Sequence, residues 1–305
     1  MLQAVEGDIG IKESILTALR YFHVFKFPLY IGEIHKYAAA AADMADLKIS
    51  LAQLVAEGKV FLHDDLYMLE NDEQYAAKRK LSSEKAALRM IEARRSGNVI
   101  ARFPFVKAVC ISGSLSKGYA DDRSDIDFFI ITAKNRLWIC RTVLHIFKKF
   151  TFLNNKQHSY CMNYFLDESM PEIEEKNIFT ATEIATLIPV YEEGTYSGFI
   201  DANKKWVRGF FPNFQLDETS TIKKPVGRGM LSERFFNIIF PGALNSLLMQ
   251  VTDKWWRLKW RKKNYPPEDY ELAMKTRWYV SKNHPANYQK KVLEKLQTDQ
   301  SVALV

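Results

Sequence analysis

The chain has 305 residues, a length that predicts about two domains. Apolar residues make up 47% and charged residues 26%, proportions that are ordinary for a soluble globular protein and exclude the disordered, collagen-like and disulfide-scaffold classes. The net charge of +7 is uneven, because residues 201–305 carry +9 and residues 1–200 carry −2. We therefore expect any anionic partner of the basic surface to meet the C-terminal third.

Two features favour a cytoplasmic location. The N-terminal residues lack the basic and apolar regions of a signal peptide, and the most apolar stretch, 235–251, is interrupted by Pro241 and several polar residues, so we expect no membrane span. Cys110, Cys140 and Cys161 lie far apart in apolar runs without metal-ligand spacing. We interpret them as buried, reduced side chains, which fits a reducing compartment.

The first region, residues 1–75, is predicted to contain three helices. Apolar spacing predicts helices over residues 11–25 and 31–38. A third helix is expected to start after a cap at Asp43 or Asp46 and to end at Gly58.

Two short apolar runs, 60–63 and 66–69, flank a polar Asp-Asp pair and predict a hairpin after these helices. Three helices followed by a hairpin resemble a winged helix-turn-helix domain, which either binds DNA through its third helix or serves as a protein-contact module. Residues 1–75 carry a net charge of −6, and the third helix offers only Lys48 against Asp46 and Glu57. Because DNA affinity depends on neutralising phosphates, we expect this domain not to bind DNA.

The rest of the chain is predicted to form an α/β (α+β) core and a helical region. Residues 76–105 are interpreted as a connector helix, residues 106–176 as a small mixed-sheet core, and residues 177–305 as mostly helical. The predicted core consists, in order, of strand 106–111, strand 126–132, helix 136–150 and strand 161–166.

The turn after the first core strand has the composition of a phosphate-binding site. The strand ends at Gly113-Ser114. Glycine allows the backbone to approach a ligand closely, and free backbone N–H groups at a helix start bind phosphate oxygens. Lys117 can add a positive charge to the same site.

A pair of carboxylates follows ten residues after Ser114. Asp125 and Asp127 alternate with Ile126 and Phe128, so the two carboxylates are expected to project from one face of a strand. Adjacent carboxylates repel each other unless a cation lies between them. Mg²⁺ binds a few carboxylate oxygens together with substrate phosphates, so the pattern predicts metal-assisted phosphoryl or nucleotidyl transfer.

This stretch resembles the signature of the DNA polymerase beta superfamily of nucleotidyltransferases. The resemblance lies in Gly113-Ser114, the ten-residue spacer and Asp125-Ile126-Asp127-Phe128, and it covers roughly residues 106–166. Lys117-Gly118 and Ser124 also match residues that are common in the minimal, aminoglycoside-type and antitoxin-type branches. Ser112 departs from the family, which usually has an apolar residue there.

The resemblance implies a Mg²⁺-dependent nucleotidyltransferase. Gly113, Ser114, Lys117 and Ser124 would bind the triphosphate of an NTP, and Asp125 and Asp127 would be the catalytic metal ligands. An acceptor hydroxyl would attack the α-phosphate and release pyrophosphate. The acceptor is left open between a small molecule, a protein side chain and an RNA end, and the choice of NTP is open as well.

The family normally supplies a third carboxylate from a later strand, and here the sequence departs from it. Asn163 occupies that place, and an amide can ligate a metal but cannot take a proton. Asp167, four residues on, could replace it or could be a loop residue. Glu183 is a further source of a base, although we interpret it as a charge near a helix N-terminus. A non-catalytic nucleotide-binding regulator is therefore the alternative to an enzyme.

The C-terminal third interleaves basic residues with tryptophans. This pattern allows single-stranded nucleic acid binding, attachment to an anionic membrane surface, or core tryptophans beneath a solvated basic face. The residues concerned are Lys254, Trp255, Trp256, Arg257, Lys259, Trp260, Arg261, Lys262 and Lys263. His145, His158 and His284 show no ligand spacing and are interpreted as structural or surface residues.

Overall fold

In the computed structural model, which describes residues 10–122, 124–151, 153, 157–215 and 242–302, the N-terminal helices form where apolar spacing predicts them. They are α1 (Ile11–His23), α2 (Ile31–Tyr37) and α3 (Met44–Ala56). Asp43 caps α3 by accepting a hydrogen bond from the Asp46 backbone N–H at 2.8 Å, and Gly58 follows with a left-handed φ of +67°. The cap and the stop are therefore those expected from the sequence.

The predicted hairpin is confirmed and gains a third strand. Strands β2 (Phe61–His63) and β3 (Leu66–Met68) are joined by Asp64 and Asp65, whose φ angles of +50° and +66° are those of a turn that matches the twist of paired strands. Strand β1 (Leu29–Tyr30), which was not predicted, pairs with β3 to complete the order β1-β3-β2.

Helix α4 (Glu73–Ile100) packs against the core instead of only connecting two regions. Its buried positions include Ala86, Ala93 and Gly97. A Cβ at Gly97 would lie 2.9 Å from a methyl carbon of Val190, so the absence of a side chain lets the helix approach the sheet closely.

The core sheet has five strands in the order β7-β4-β5-β6-β8. Strands β5 and β6 are parallel, as a helical crossover requires, and the other pairs are antiparallel. The core elements are β4 (Val106–Ser112), α5 (Gly113–Ser116), β5 (Asp127–Thr132), α6 (Leu137–Thr151), the 3-10 turn Gln157–Ser159, β6 (Cys161–Asp167), α7 (Ile178–Ala185), β7 (Ile188–Glu192), α8 (Thr195–Phe210), α9 (Gly242–Arg261), α10 (Pro267–Ala273), β8 (Val280–Lys282) and α11 (Tyr288–Val302).

Residues 177–305 contribute to the sheet, which differs from the prediction of a helical region. The described part of this region is mostly helical, but it also supplies both edge strands, β7 and β8. Pro189 lies in β7, and proline is tolerated there because an edge strand leaves backbone groups without ladder partners. With only three residues, β8 is too short for an alternating pattern to reveal it.

The two faces of the sheet pack against two separate hydrophobic layers, and successive residues of β5 point to them in turn. Phe128 and Ile130 face the layer that contains α4 and α6. Phe129 and Ile131 face α7, α8 and the apolar residues of α1, α2 and α3, which form one continuous core with this side of the sheet. The N-terminal region thus shares one hydrophobic core with this side of the sheet, while the predicted domain boundaries at residues 75, 105 and 176 stay predictions.

The three cysteines are free and buried, as expected. Within the residues that the structure describes, none of the helices combines the length and the apolar character needed to cross a bilayer. Two tryptophans of the basic helix α9 differ in burial. Trp256 is 4% exposed and packs with Tyr270, whereas Trp255 is 57% exposed. The core interpretation therefore holds for Trp256 and not for its neighbour.

Candidate active site

Gly113 and Asp127 lie side by side because the C-terminal end of β4 and the N-terminal end of β5 are at the same end of the sheet. Ser112 at the end of β4 pairs with Asp127 at the start of β5, so the next residue, Gly113, lies over the Asp127 side chain. Gly113 has a φ of +69°, and a Cβ there would lie 2.5 Å from Oδ2 of Asp127. Glycine is therefore required both by the backbone conformation and by the close approach of the carboxylate.

Asp127 is a half-buried carboxylate whose surroundings disfavour its negative charge. Burial is the main reason that its pKa rises to about 6, and the negative charges of Asp125 and Glu183 raise it further. The Cys161 thiol, which hydrogen-bonds to it, and Lys117 act in the opposite direction. Such a carboxylate favours a bound cation.

Asp125 lies just before β5 and is accessible, with a side chain that is 43% exposed. Its Oδ1 is 2.5 Å from Nδ1 of His158. The His158 carbonyl also accepts a hydrogen bond of 2.9 Å from the Ile126 N–H, which ties the 3-10 turn to the entrance of β5. His158, which the sequence analysis treated as structural or surface, thus belongs to the site.

Asn163 reaches Asp127 because β6 contains a bulge. Phe128 pairs with Met162, and Phe129 pairs with Tyr164, so Asn163 is the extra residue. Its Nδ2 donates a hydrogen bond of 2.8 Å to Oδ1 of Asp127. A bulge of this kind redirects a side chain, and here it brings the Asn163 amide into contact with the Asp127 carboxylate.

Asp167 does not complete the site. It pairs with Thr132 at the far end of β5, whereas Asp127 pairs with Cys161 at the near end. Asp167 is fully buried and accepts hydrogen bonds from the backbone N–H of Asn135 at 2.7 Å and of Ser169 at 3.0 Å. Its carboxylate joins the backbone at Asn135 to that at Ser169. Asp167 therefore does not supply the third carboxylate of the site.

Glu183 on α7 approaches the site through Lys117. The Lys117 ammonium lies 2.7 Å from Oε1 of Glu183 and donates a hydrogen bond of 3.0 Å to the Gly113 carbonyl. Lys117 therefore stands next to the Gly113 turn, as predicted, but it is paired with a carboxylate. Glu183 lies in the last turn of α7 and is paired with a lysine, so the interpretation of it as a charge near a helix N-terminus is wrong.

The two predicted serine ligands differ in position. Ser114 follows Gly113 in α5, and its carbonyl accepts the N–H groups of Lys117 and Tyr119, which closes the turn around the site. The Ser124 hydroxyl instead donates to Asp121 at 2.8 Å and accepts from the Asp121 N–H at 3.0 Å. Ser124 thus shapes the loop before Asp125.

Helix α4 holds this loop in place, which the sequence analysis missed by treating it as a connector. Arg79 is 5% exposed and also pairs with Glu33 of α2 at 2.9 Å, so it links the N-terminal region to the site loop. The helical spacing of the polar residues on α4 is the signal that was available. Its contacts with the loop are Arg79 to the Gly118 carbonyl, the Ser82 carbonyl to the Ala120 N–H, Lys85 to Asp122 and Arg89 to the Ser124 carbonyl.

The donor set at this edge of the sheet fits Mg²⁺ delivered with a nucleotide. Asp125 and Asp127 offer hard oxygen ligands, and Mg²⁺ commonly takes one or two protein carboxylates together with substrate phosphates. Among the described residues, no group of three or more His, Cys, Asp or Glu side chains forms a cluster that could hold a metal ion. Asp125 and Asp127 are thus the two carboxylates that this site offers to a cation.

Comparison with protein-family models, with curated proteins and with solved structures found no match to this chain. The resemblance to the nucleotidyltransferase superfamily consequently rests on the motif between Gly113 and Asp127. The function must be inferred from the chemistry of the residues that surround this motif.

Proposed function

We propose that the protein is a Mg²⁺-dependent nucleotidyltransferase that moves a nucleoside monophosphate from an NTP to an acceptor hydroxyl and releases pyrophosphate. The observation that carries the proposal is the placement of the Gly113 turn directly over the half-buried carboxylate of Asp127. A phosphate-binding turn beside a carboxylate that needs a cation is the arrangement that nucleotidyl transfer uses.

Each residue has a distinct part in the proposed reaction. The backbone N–H groups of the Gly113 turn and the Ser114 hydroxyl bind the triphosphate, and Lys117 adds a positive charge. Asp125 and Asp127 hold Mg²⁺, which when bound would neutralise charge on the reacting phosphate. Such a cation would offset the desolvation of the Asp127 carboxylate and its repulsion with Asp125, and so would favour the ionised form of Asp127.

The remaining fold assignments support this proposal. The order α1-β1-α2-α3-β2-β3 supports the winged-helix-like domain that we propose for residues 1–75, and the mixed sheet supports the proposed nucleotidyltransferase core. Since α1, α2 and α3 share a core with the sheet and Arg79 joins α2 to the site loop, we assign the N-terminal region a structural role at the site and not DNA binding.

An acceptor screen with radiolabelled ATP, GTP, CTP and UTP tests the proposal. Wild-type protein with Mg²⁺ should label one class of acceptor, and chelation of Mg²⁺ should abolish labelling. Asp125→Asn and Asp127→Asn should each reduce the rate at least 100-fold. Asp201→Asn, at an exposed residue of α8 that pairs with a lysine, is the matched control and should keep wild-type activity. Equal activity in the wild type and the Asp125→Ala, Asp127→Ala double variant would refute the proposal.

A second candidate is a non-catalytic protein that binds Mg²⁺ and NTP. It is favoured by Asn163, which places an amide next to Asp127, and by Asp167, which lies at the other end of the sheet. Calorimetry separates the two functions. Binding of Mg²⁺ and NTP without labelling of any acceptor supports the regulator, whereas turnover excludes it.

A further inference from the structure

The third acidic group of the site comes from a helix. We propose that Glu183, held by Lys117, supplies the carboxylate that the expected strand position lacks, and that it accepts the proton of the acceptor hydroxyl. This inference rests on the proposed function and adds a residue to it. It also assigns α7 a direct part in the reaction.

The contacts of Lys117 bring Glu183 to the Gly113 turn. One ammonium group lies 2.7 Å from Glu183 and 3.0 Å from the Gly113 carbonyl, and Gly113 itself packs against Oδ2 of Asp127. The Lys117 and Glu183 side chains are 17% and 29% exposed, so the ion pair is partly buried and open to a ligand on one side. Glu183 is therefore separated from the turn by a single side chain.

The Asp127 and Glu183 carboxylates lie on the same face of the sheet. Side chains alternate along β5, so Asp127 faces the same layer as Phe129 and Ile131. That layer contains the buried residues of α7 on either side of Glu183, namely Ala181 and Ile184. The electrostatic effect of Glu183 on Asp127 agrees with this placement.

Binding of a triphosphate would change the partner of Lys117. Phosphate oxygens carry more negative charge than one carboxylate, so the ammonium is expected to turn toward them. Glu183 would then lose its counter-ion and become available as a base or as a metal ligand. In this arrangement Lys117 is a positioning residue that couples nucleotide binding to the release of Glu183.

The proposed step conserves atoms and charge. The acceptor hydroxyl transfers its proton to the Glu183 carboxylate, and its oxygen forms a bond to the α-phosphorus. The bond between the α-phosphorus and the bridging oxygen breaks, and pyrophosphate leaves with that electron pair. General base catalysis of this kind typically contributes about 10² to 10⁴-fold in rate.

The test compares Glu183→Gln with Glu193→Gln. Glu193 also pairs with a lysine, Lys107, at 3.0 Å and with similar exposure of both side chains, but at the opposite end of β4. Glu183→Gln should reduce the rate at least 100-fold and weaken Mn²⁺ binding in the presence of NTP at least ten-fold by electron paramagnetic resonance. Glu193→Gln should change none of these, and Glu183→Asp, which keeps the charge, should retain more activity than Glu183→Gln.

The outcomes separate this inference from the proposed function. If Asp127→Asn abolishes turnover while Glu183→Gln keeps both turnover and Mn²⁺ affinity within three-fold of wild type, the role of Glu183 is refuted and the function stands. If Asp127→Asn leaves turnover unchanged, the proposed function fails. Circular dichroism and thermal unfolding establish that each variant is folded. If Glu183→Gln does not fold, Glu183→Ala decides, since a rate and a Mn²⁺ affinity within three-fold of wild type in that variant also refute the inference.

Discussion

The left-handed backbone at Gly113 makes Gly113→Ala a quantitative test of the site. An alanine Cβ would lie 2.5 Å from Oδ2 of Asp127, about 1 Å closer than non-bonded carbon contacts allow. Gly58 is a matched control, because its φ of +67° is nearly the same as the +69° of Gly113 while a Cβ there meets nothing within 4 Å. The two substitutions therefore share the backbone cost and differ in the clash.

The expected magnitudes follow from these two contributions. A left-handed conformation costs an alanine about 1–2 kcal/mol, which is the whole effect for Gly58→Ala. Gly113→Ala must in addition move the Asp127 carboxylate and weaken the hydrogen bond of 2.8 Å from Asn163, which is worth about 1.5–3 kcal/mol for a charged acceptor. We expect Gly113→Ala to lose about 3–5 kcal/mol of unfolding free energy.

Urea unfolding of both variants measures this difference, and calorimetry with NTP and Mg²⁺ measures its consequence. Gly113→Ala should bind NTP and Mg²⁺ at least ten-fold more weakly than wild type, because the displaced Asp127 carboxylate and the Gly113 turn could no longer contact the same ligand. Gly58→Ala should bind like wild type. Equal destabilisation of the two variants, or unchanged nucleotide affinity in Gly113→Ala, would contradict the geometry argued for the site.

Three further predictions concern residues outside the reacting groups. Asp167→Ala should lower stability by about 2–4 kcal/mol, because it removes a buried acceptor from Asn135 and Ser169, yet nucleotide affinity per folded molecule should not change. Burial lowers the pKa of Lys282 from 10.5 to about 8. Between these pH values the unfolded state binds more protons than the folded state, so the free energy of unfolding should rise by about 3 kcal/mol from pH 8 to 10.5. Lys282→Met should remove this rise in chemical unfolding, and the same pH dependence of stability in wild type and variant would count against a buried Lys282 with a lowered pKa. Trp256→Ala should cost about 3–5 kcal/mol and Trp255→Ala less than about 0.5 kcal/mol in thermal unfolding, and equal losses would contradict their different burial.

Local patterns predicted the elements that carry the motif. Apolar alternation around Ile126 and Phe128 identified β5, and the glycine after β4 identified the turn that lies over Asp127, because strand period and backbone freedom depend on neighbouring residues. The Asp43 cap and the Asp64-Asp65 turn were found for the same reason. The function inferred from this motif stays a proposal, since the spacing of residues shows a site and not its substrate.

The sequence by itself determined which strand carries Asp127 and which turn lies before it. The tertiary structure alone decided which groups surround that carboxylate. Strand register and a bulge in β6 brought Asn163 to it and took Asp167 to the far end of the sheet, while the packing of α7 brought Glu183 to Lys117. Contacts of this kind join residues that are tens of positions apart, so they depend on how whole elements pack and not on any local period.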